Sequence, residues 1–435
     1  LAIYIASEGQ EVAASAHSVP RTYAWIVFAL TFGLLLSDYM SRQVLNAVFP
    51  ILKAEWQLSD TQLGSLSGIV ALLVGLLTFP LSVLADRWGR VKSIVLMAAL
   101  WSLATLACAI AENYNQMFAA RFFVGVGEAA YGSVGIALII SIFPAHLRST
   151  LSAAFMAGGA VGAVLGMALG GVVATHFGWR WSFGTMALFG FVLVVLYRLI
   201  VAEHKLRPYG SDEQTQNGDA ASPLKLRALA AELFSSTSVI MAYVGSGLQL
   251  FIMAAMIAWM PSFLNRYYGM PTDKAGVGAA AFILIGALGM VLCGMLTDRL
   301  SRTAAIRKWT IAITYCCISS LCLLIAFQLP AGTAQLVMIG AGMLLVAGTT
   351  GPAGAMVANL IHPSVHASAF ATLTLANNML GLAPGPFVTG VIADRVGLLG
   401  ALEIVPLFAL GAAVAFGIGR RHYAKDLQRI QAQKA

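Results

Sequence analysis

Long apolar runs alternate with short polar segments along the chain, and each run is of membrane-crossing length, for which about 20 apolar residues suffice. The pattern predicts helices over 22–50, 60–85, 91–111, 116–143, 149–175, 180–200, 236–267, 275–297, 306–328, 332–361, 367–392 and 400–420. These twelve runs imply an all-α membrane protein. The longest polar stretch, 202–223, separates the sixth run from the seventh and divides the chain into two six-helix bundles. The expected organisation is a tail (1–21), a first bundle (22–201), a linker (202–235), a second bundle (236–420) and a basic tail (421–435). In the linker Leu224, Leu226, Leu229 and Leu233 alternate with Lys225, Arg227 and Glu232, the signature of a short amphipathic helix lying on a membrane surface.

Composition supports this reading. Of 435 residues, 59% are hydrophobic and 10% charged, against about 25% charged in soluble proteins. Soluble, disordered and nucleic-acid-binding classes are thereby excluded, despite a net charge of +8. Nineteen of the 26 Lys and Arg residues fall on the side of the N-terminus and five on the other, which predicts cytoplasmic termini in the inner (plasma) membrane. No removable signal peptide is expected, because the first twenty residues lack a basic start and a cleavage site. The five cysteines lie in apolar runs without CxxC spacing and read as buried small hydrophobes.

The halves repeat. An offset of 219 aligns Pro144 with Pro363, Gly162 with Gly381, Gly171 with Gly390 and Gly178 with Gly397. Asp86-Arg87-Trp88-Gly89-Arg90 recurs as Asp298-Arg299-Leu300-Ser301-Arg302. Duplicated six-helix halves place a site at their interface near the bilayer midplane.

Four ionisable residues stand inside the apolar runs: Asp38 and Arg42 in the first, Arg121 and Glu128 in the fourth. Each is costly at membrane depth unless paired or facing water. Asp38 and Arg42 share a face at i,i+4 spacing, and Arg121 and Glu128 lie two turns apart on another. A buried carboxylate beside a guanidinium suits proton exchange; the alternative is two static ion pairs, Asp38 with Arg42 and Arg121 with Glu128, joining helices. At the 219 offset Arg121 and Glu128 meet Gly340 and Ala347, so coupling belongs to the first half. Tyr39, Gln43, Tyr131, Tyr243, Gln249, Asn359, Asn377 and Asn378 are candidate cavity-lining residues. His362 and His366 have ligand-like spacing but flank Pro363 at a helix junction without a third ligand, and read as loop histidines. Gly125-Val126-Gly127-Glu128 lacks the strand that a dinucleotide fingerprint requires.

Asp86-Arg87-Trp88-Gly89-Arg90 with Lys92, Arg121 through Gly127, and Gly162 through Gly171 resemble signatures of the major facilitator superfamily. That resemblance implies alternating access, with Asp86, Arg87 and Arg90 as a cytoplasmic latch and Asp298, Arg299 and Arg302 as a looser second copy. Met167 stands where the helix-five antiporter signature has proline, and Ser82 where the loop signature has its leading glycine. Within the superfamily, Ser41-Arg42-Gln43, Ser59 through Gly64, Trp101 through Thr105, Arg121 through Ala129 and Asn378 through Gly390 are similar to Spinster-like transporters. Those proteins usually carry aspartate directly before the helix-one arginine; here Ser41 is there and Asp38 lies one turn earlier.

The resemblance implies proton-linked movement of an amphipathic anion such as a lysophospholipid or sphingoid phosphate, with anion:cation symporters of sugar acids as the alternative. Glu128, Asp38 and Arg121 are the expected proton-coupling residues. Arg42, Tyr39, Gln43, Tyr131, Tyr243, Gln249, Asn377 and Asn378 are the expected substrate contacts. The expected partners are the cargo and the lipid bilayer, with the proton as coupling ion, no metal or organic cofactor, no nucleic acid, and a monomeric state. Neither HExxH nor a Gly-Lys pair is present, so zincin and Walker-loop enzymes are not expected.

Overall fold

The computed structural model describes residues 19–206, 233–234, 236–361 and 366–434. Among them, eleven helical runs are long and apolar enough to cross a membrane, and the last, Ser368–Arg429, is 62 residues long. It breaks at Gly397, where φ is 81°, so twelve crossings result. The first six are α1 (Arg21–Trp56), α2 (Asp60–Trp88), α3 (Arg90–Ile110), α4 (Tyr114–Glu128 continued by Tyr131–Ile142), α5 (Ala145–Phe177) and α6 (Trp179–Ile200). The second six are α7 (Thr237–Tyr268), α8 (Thr272–Leu300), α9 (Arg307–Gln328), α10 (Thr333–Ala347 continued by Thr350–Asn359), α11 (His366–Asn377, a π-turn Asn378–Leu382, then Pro384 to the break) and α12 (from the break through Phe408–Lys434). The predicted amphipathic helix, apart from Leu233, and His362 lie outside the described residues. The basic tail continues α12 as helix to Lys434.

Local chemistry sets the helix ends. Ser59 and Gln62 form a reciprocal capping box at the start of α2, satisfying two backbone N–H groups that a helix leaves free. Gly178 and Gly397 are single-residue turns with φ of 90° and 81° and ψ of 153° and 161°, an extended positive-φ conformation that is essentially glycine's own and costs another residue about 1–3 kcal/mol. They are equivalent under the 219 offset, so α5–α6 and α11–α12 are matched hairpins. α4 is interrupted after Glu128 and α10 after Ala347, again equivalent positions. At the first interruption the Thr78 hydroxyl of α2 donates to the freed Ala129 carbonyl at 2.6 Å.

Val19 and Lys434 lie at one end of the molecule, here called proximal, and the α1–α2 connection marks the distal end. The two bundles meet along α5 with α8 and α2 with α11. Glycines allow backbone to approach backbone there, as small residues do in membrane helix pairs. A Cβ on Gly64 would stand 2.9 Å from Phe387 Cα, and one on Gly171 would stand 2.7 Å from the Thr272 carbonyl. These seams follow the internal repeat: Gly276 faces the Met167 carbonyl as Gly64 faces that of Pro386, and Gly171 faces Thr272 as Gly390 faces Asp60.

The apolar core reports the same division. One buried cluster, containing Val48, Phe49, Leu63, Phe251, Trp259 and Phe263, runs through both bundles. Phe49 of α1 and Trp259 of α7 meet across the divide at 5.4 Å between ring centroids. A second cluster, with Val27, Leu34, Ile94, Tyr131, Phe155 and Tyr197, belongs to the first bundle alone. Beyond Gly75, which abuts Asn378 of the π-turn, Leu76, Phe79 and Val83 of α2 are exposed.

Candidate functional site

α1 and α4 build the site. Their ionisable residues cannot face lipid cheaply, and the helices turn them towards each other. Arg42 Nε donates to Asp38 Oδ1 at 3.0 Å along its own helix. The same Nε lies 2.7 Å from Glu128 Oε2 on α4, yet that oxygen receives no hydrogen bond. Two carboxylates therefore compete for one N–H. Their side chains are 3% and 0% exposed, whereas that of Arg42 is 20% exposed, so of the three only the Arg42 side chain is partly open. The Tyr39 ring lies beneath it, its centroid 5.2 Å from Arg42 Cζ, in the geometry of a cation–π contact.

Ser41 joins the parts. Its hydroxyl lies 2.9 Å from Glu128 Oε1 and 2.7 Å from the Asp38 carbonyl, two acceptors for its single hydrogen. Its own carbonyl accepts from Arg121 Nη1 at 3.1 Å, and Arg121 Nε donates to the Leu66 carbonyl of α2 at 3.4 Å. Arg121 is buried and spans α1, α2 and α4 through backbone carbonyls. The cation in contact with Glu128 is thus Arg42, in place of the Arg121–Glu128 pair read from spacing, and Arg121 reaches the acid through Ser41. Asp38, one turn before the usual position of the helix-one acid, still reaches Arg42.

The other expected substrate contacts divide. Tyr39 and Gln43 flank Arg42, and Gln43 Oε1 accepts from Asn46 at 2.8 Å. Tyr131 is placed elsewhere: its ring packs on Trp101 and Phe155 in the first bundle's own core and its hydroxyl donates to the Thr31 carbonyl. Gln249 of α7 is buried and donates to Cys316 Sγ of α9 at 2.9 Å, within the second bundle. Tyr243 is also buried, with no hydrogen bond to its hydroxyl. Asn378 lies in the π-turn and donates to the Thr374 carbonyl, while the Oδ1 of neighbouring Asn377 is buried without a partner. His366 contacts the Ile361 carbonyl at 3.1 Å.

In the expected latch, Asp86 pairs with Arg90 at 3.5 Å and Asp298 with Lys308 at 3.3 Å, each within its own bundle. Arg90 also donates to the Ala137 carbonyl of α4. Arg87, Arg299 and Arg302 are exposed. Glu203, not singled out from the sequence, accepts from the backbone N–H groups of Arg90 and Val91 and so caps α3. Among the described residues no ion pair joins the bundles at the proximal end.

Residues 31–386 match the Major Facilitator Superfamily. The chain belongs to that superfamily. It is a transporter rather than an enzyme, similar to Spinster proteins and to a hexuronate transporter. Protein spinster homolog 1 of Xenopus laevis is 26% identical over 392 residues, covering 85% of this chain and 73% of that protein. The hexuronate transporter of Bacillus subtilis (strain 168) is 23% identical over 400 residues, covering 90% and 92%. The crystal structure of a bacterial homologue of the human lysosomal transporter Spinster, in an inward-facing and unoccupied conformation, has the same fold. The TM-score is 0.81 at 20% identity, covering 94% of this transporter and 99% of that chain.

Proposed function

We propose that this transporter is a proton-coupled secondary carrier of an amphipathic anion, such as a lysophospholipid or sphingoid phosphate, working by alternating access. The observation that carries the reading is the shared Arg42 Nε, with a partly exposed Arg42 side chain between two buried carboxylates. An anionic head that engages Arg42 competes with Glu128 for it, as expected of a guanidinium that binds phosphate or carboxylate. A displaced, buried Glu128 takes up a proton. Ser41 fits both states: its hydrogen goes to Glu128 when that group is ionised, and to the Asp38 carbonyl when protonated Glu128 donates to Ser41 Oγ. Cargo binding and proton binding are coupled by this exchange of partners.

The excess of Lys and Arg on the proximal side supports cytoplasmic termini in the plasma membrane. The distal end, where the bundles meet, then faces outward and the structure is inward-open. We take the carrier to act as a monomer, its site lying within one chain.

The test is transport into proteoliposomes under an imposed pH gradient. Gradient-driven movement of a lysophospholipid or sphingoid phosphate is expected, and Glu128→Gln is expected to lose gradient-driven accumulation while keeping cargo exchange at equal pH. Gradient-driven accumulation that survives Glu128→Gln overturns the coupling assignment. Arg42→Ala should weaken anionic ligands more than neutral ones. A second reading, transport of sugar acids, is favoured by the hexuronate transporter's match over nearly the full length of both chains. Saturable movement of hexuronates with indifference to lysolipids would establish it.

A further inference from the structure

We propose that Asp394, with Asp60 and Arg266, is a latch across the α2–α11 seam that holds the distal end shut. Asp394 of α11 accepts from the backbone N–H of Asp60 at 2.7 Å, from that of Thr61 at 2.9 Å and from the Thr61 hydroxyl at 2.5 Å. One bundle thus supplies the carboxylate that caps a helix of the other, where free N–H groups and the helix dipole favour negative charge. Asp60 completes the crossing in the opposite sense. Its carboxylate takes both terminal nitrogens of Arg266 on α7, at 2.6 and 3.0 Å, and Lys53 of α1 at 2.6 Å. Bidentate, charge-assisted pairs of this kind are stronger than neutral hydrogen bonds.

The internal repeat separates latch from packing. The α5–α8 seam makes the same glycine-to-carbonyl contacts as the α2–α11 seam. At that twin seam the positions equivalent to Asp60, Asp394 and Arg266 are Thr272, Thr175 and Ala54, the last beside Glu55. Thr175 bonds to Gly171 of its own helix, and Glu55 accepts from Trp179 and Arg180 of its own bundle. Among the described residues no ion pair crosses there. Glycine packing is common to both seams, and the charged crossing is an addition at one. Its Asp394 and Arg266 contacts span parts that separate when the distal end opens, while Lys53 holds Asp60 from within its own bundle, so the latch sets how often it opens. This inference rests on the alternating-access reading.

The experiment places spin labels in a cysteine-free background on exposed positions, Ala54 with Ala331 at the distal end and Ser149 with Thr303 at the proximal end, and measures both distances. In Asp394→Asn, and independently in Arg266→Gln, the population with a long distal and a short proximal distance should rise about tenfold, the scale of losing hydrogen bonds to a charged group. Asp394→Glu should stay closer to the parent. Unchanged distributions in both variants overturn the latch, as does loosening of both ends together, which a merely structural role would give. A parent protein whose two distances vary in opposite directions, beside variants that do not shift, refutes the latch and leaves alternating access standing. A parent without that relation refutes both.

Discussion

Removing Arg42 should damage the protein far more than removing its partner Glu128, and the asymmetry can be worked from the geometry. At 2.7 Å and an effective dielectric constant of about 20, one ion pair has a gross attraction of about 6 kcal/mol. Most of that is offset by the cost of keeping two charges out of water. Glu128→Gln removes an anion, leaves Arg42 paired with Asp38 at 3.0 Å and still offers Ser41 an amide oxygen, so stability should stay within about 1 kcal/mol of the parent. Arg42→Gln leaves two buried carboxylates without the cation they share, and breaking a buried pair in this way costs about 3–5 kcal/mol. The double variant Arg42→Gln/Glu128→Gln leaves only Asp38 unmatched and should recover about half of that loss. Intrinsic tryptophan fluorescence during thermal unfolding in detergent reads the series, at about 1–2 °C per kcal/mol for a chain of this length. An Arg42→Gln midpoint no lower than that of Glu128→Gln, or a double variant equal to the sum of the two, would refute the shared-cation account.

Ser41→Ala should lower the ratio of protons to cargo moved, with Ser41→Thr retaining it; an unchanged ratio in proteoliposome flux measurements would remove Ser41 from the proton path. Gly166→Ala would place a Cβ 2.6 Å from Met40 Cα and 2.9 Å from its carbonyl carbon, and should lower stability by about 1–3 kcal/mol, read as a lower unfolding midpoint. Gly178→Ala and Gly397→Ala have open space for the added methyl, so each should lose only the backbone term of about 1–3 kcal/mol, with matching shifts on melting.

The crossings were legible because membrane insertion imposes long apolar runs, and the single-glycine turns at Gly178 and Gly397 were visible as part of the repeat. The Asp38–Arg42 contact was legible because i,i+4 neighbours on a helix must lie close. The contact of Arg42 with Glu128 was not, because it depends on how α1 and α4 are rotated about their axes, which spacing within either helix does not encode. The same limit hid Ser41, whose hydroxyl and carbonyl serve different neighbours. Tyr131 and Gln249 looked like cavity residues because polar groups in apolar helices attract notice, yet each found a partner inside its own bundle. Asp60 stood within a recognised motif, but its partners Arg266 and Asp394 come from more than 200 and 300 residues away.

The distal connections are only one to four residues long: 57–59, 111–113, Gly178, 269–271, 329–332 and Gly397. That surface therefore displays helix tips and almost no loop. An antibody fragment raised against it would have little flexible peptide to grip and would have to read the relative placement of tips from both halves. Any such binder bridging the α2–α11 seam would be a reporter of carrier state, and the amount bound to the purified protein would count how many copies stand closed.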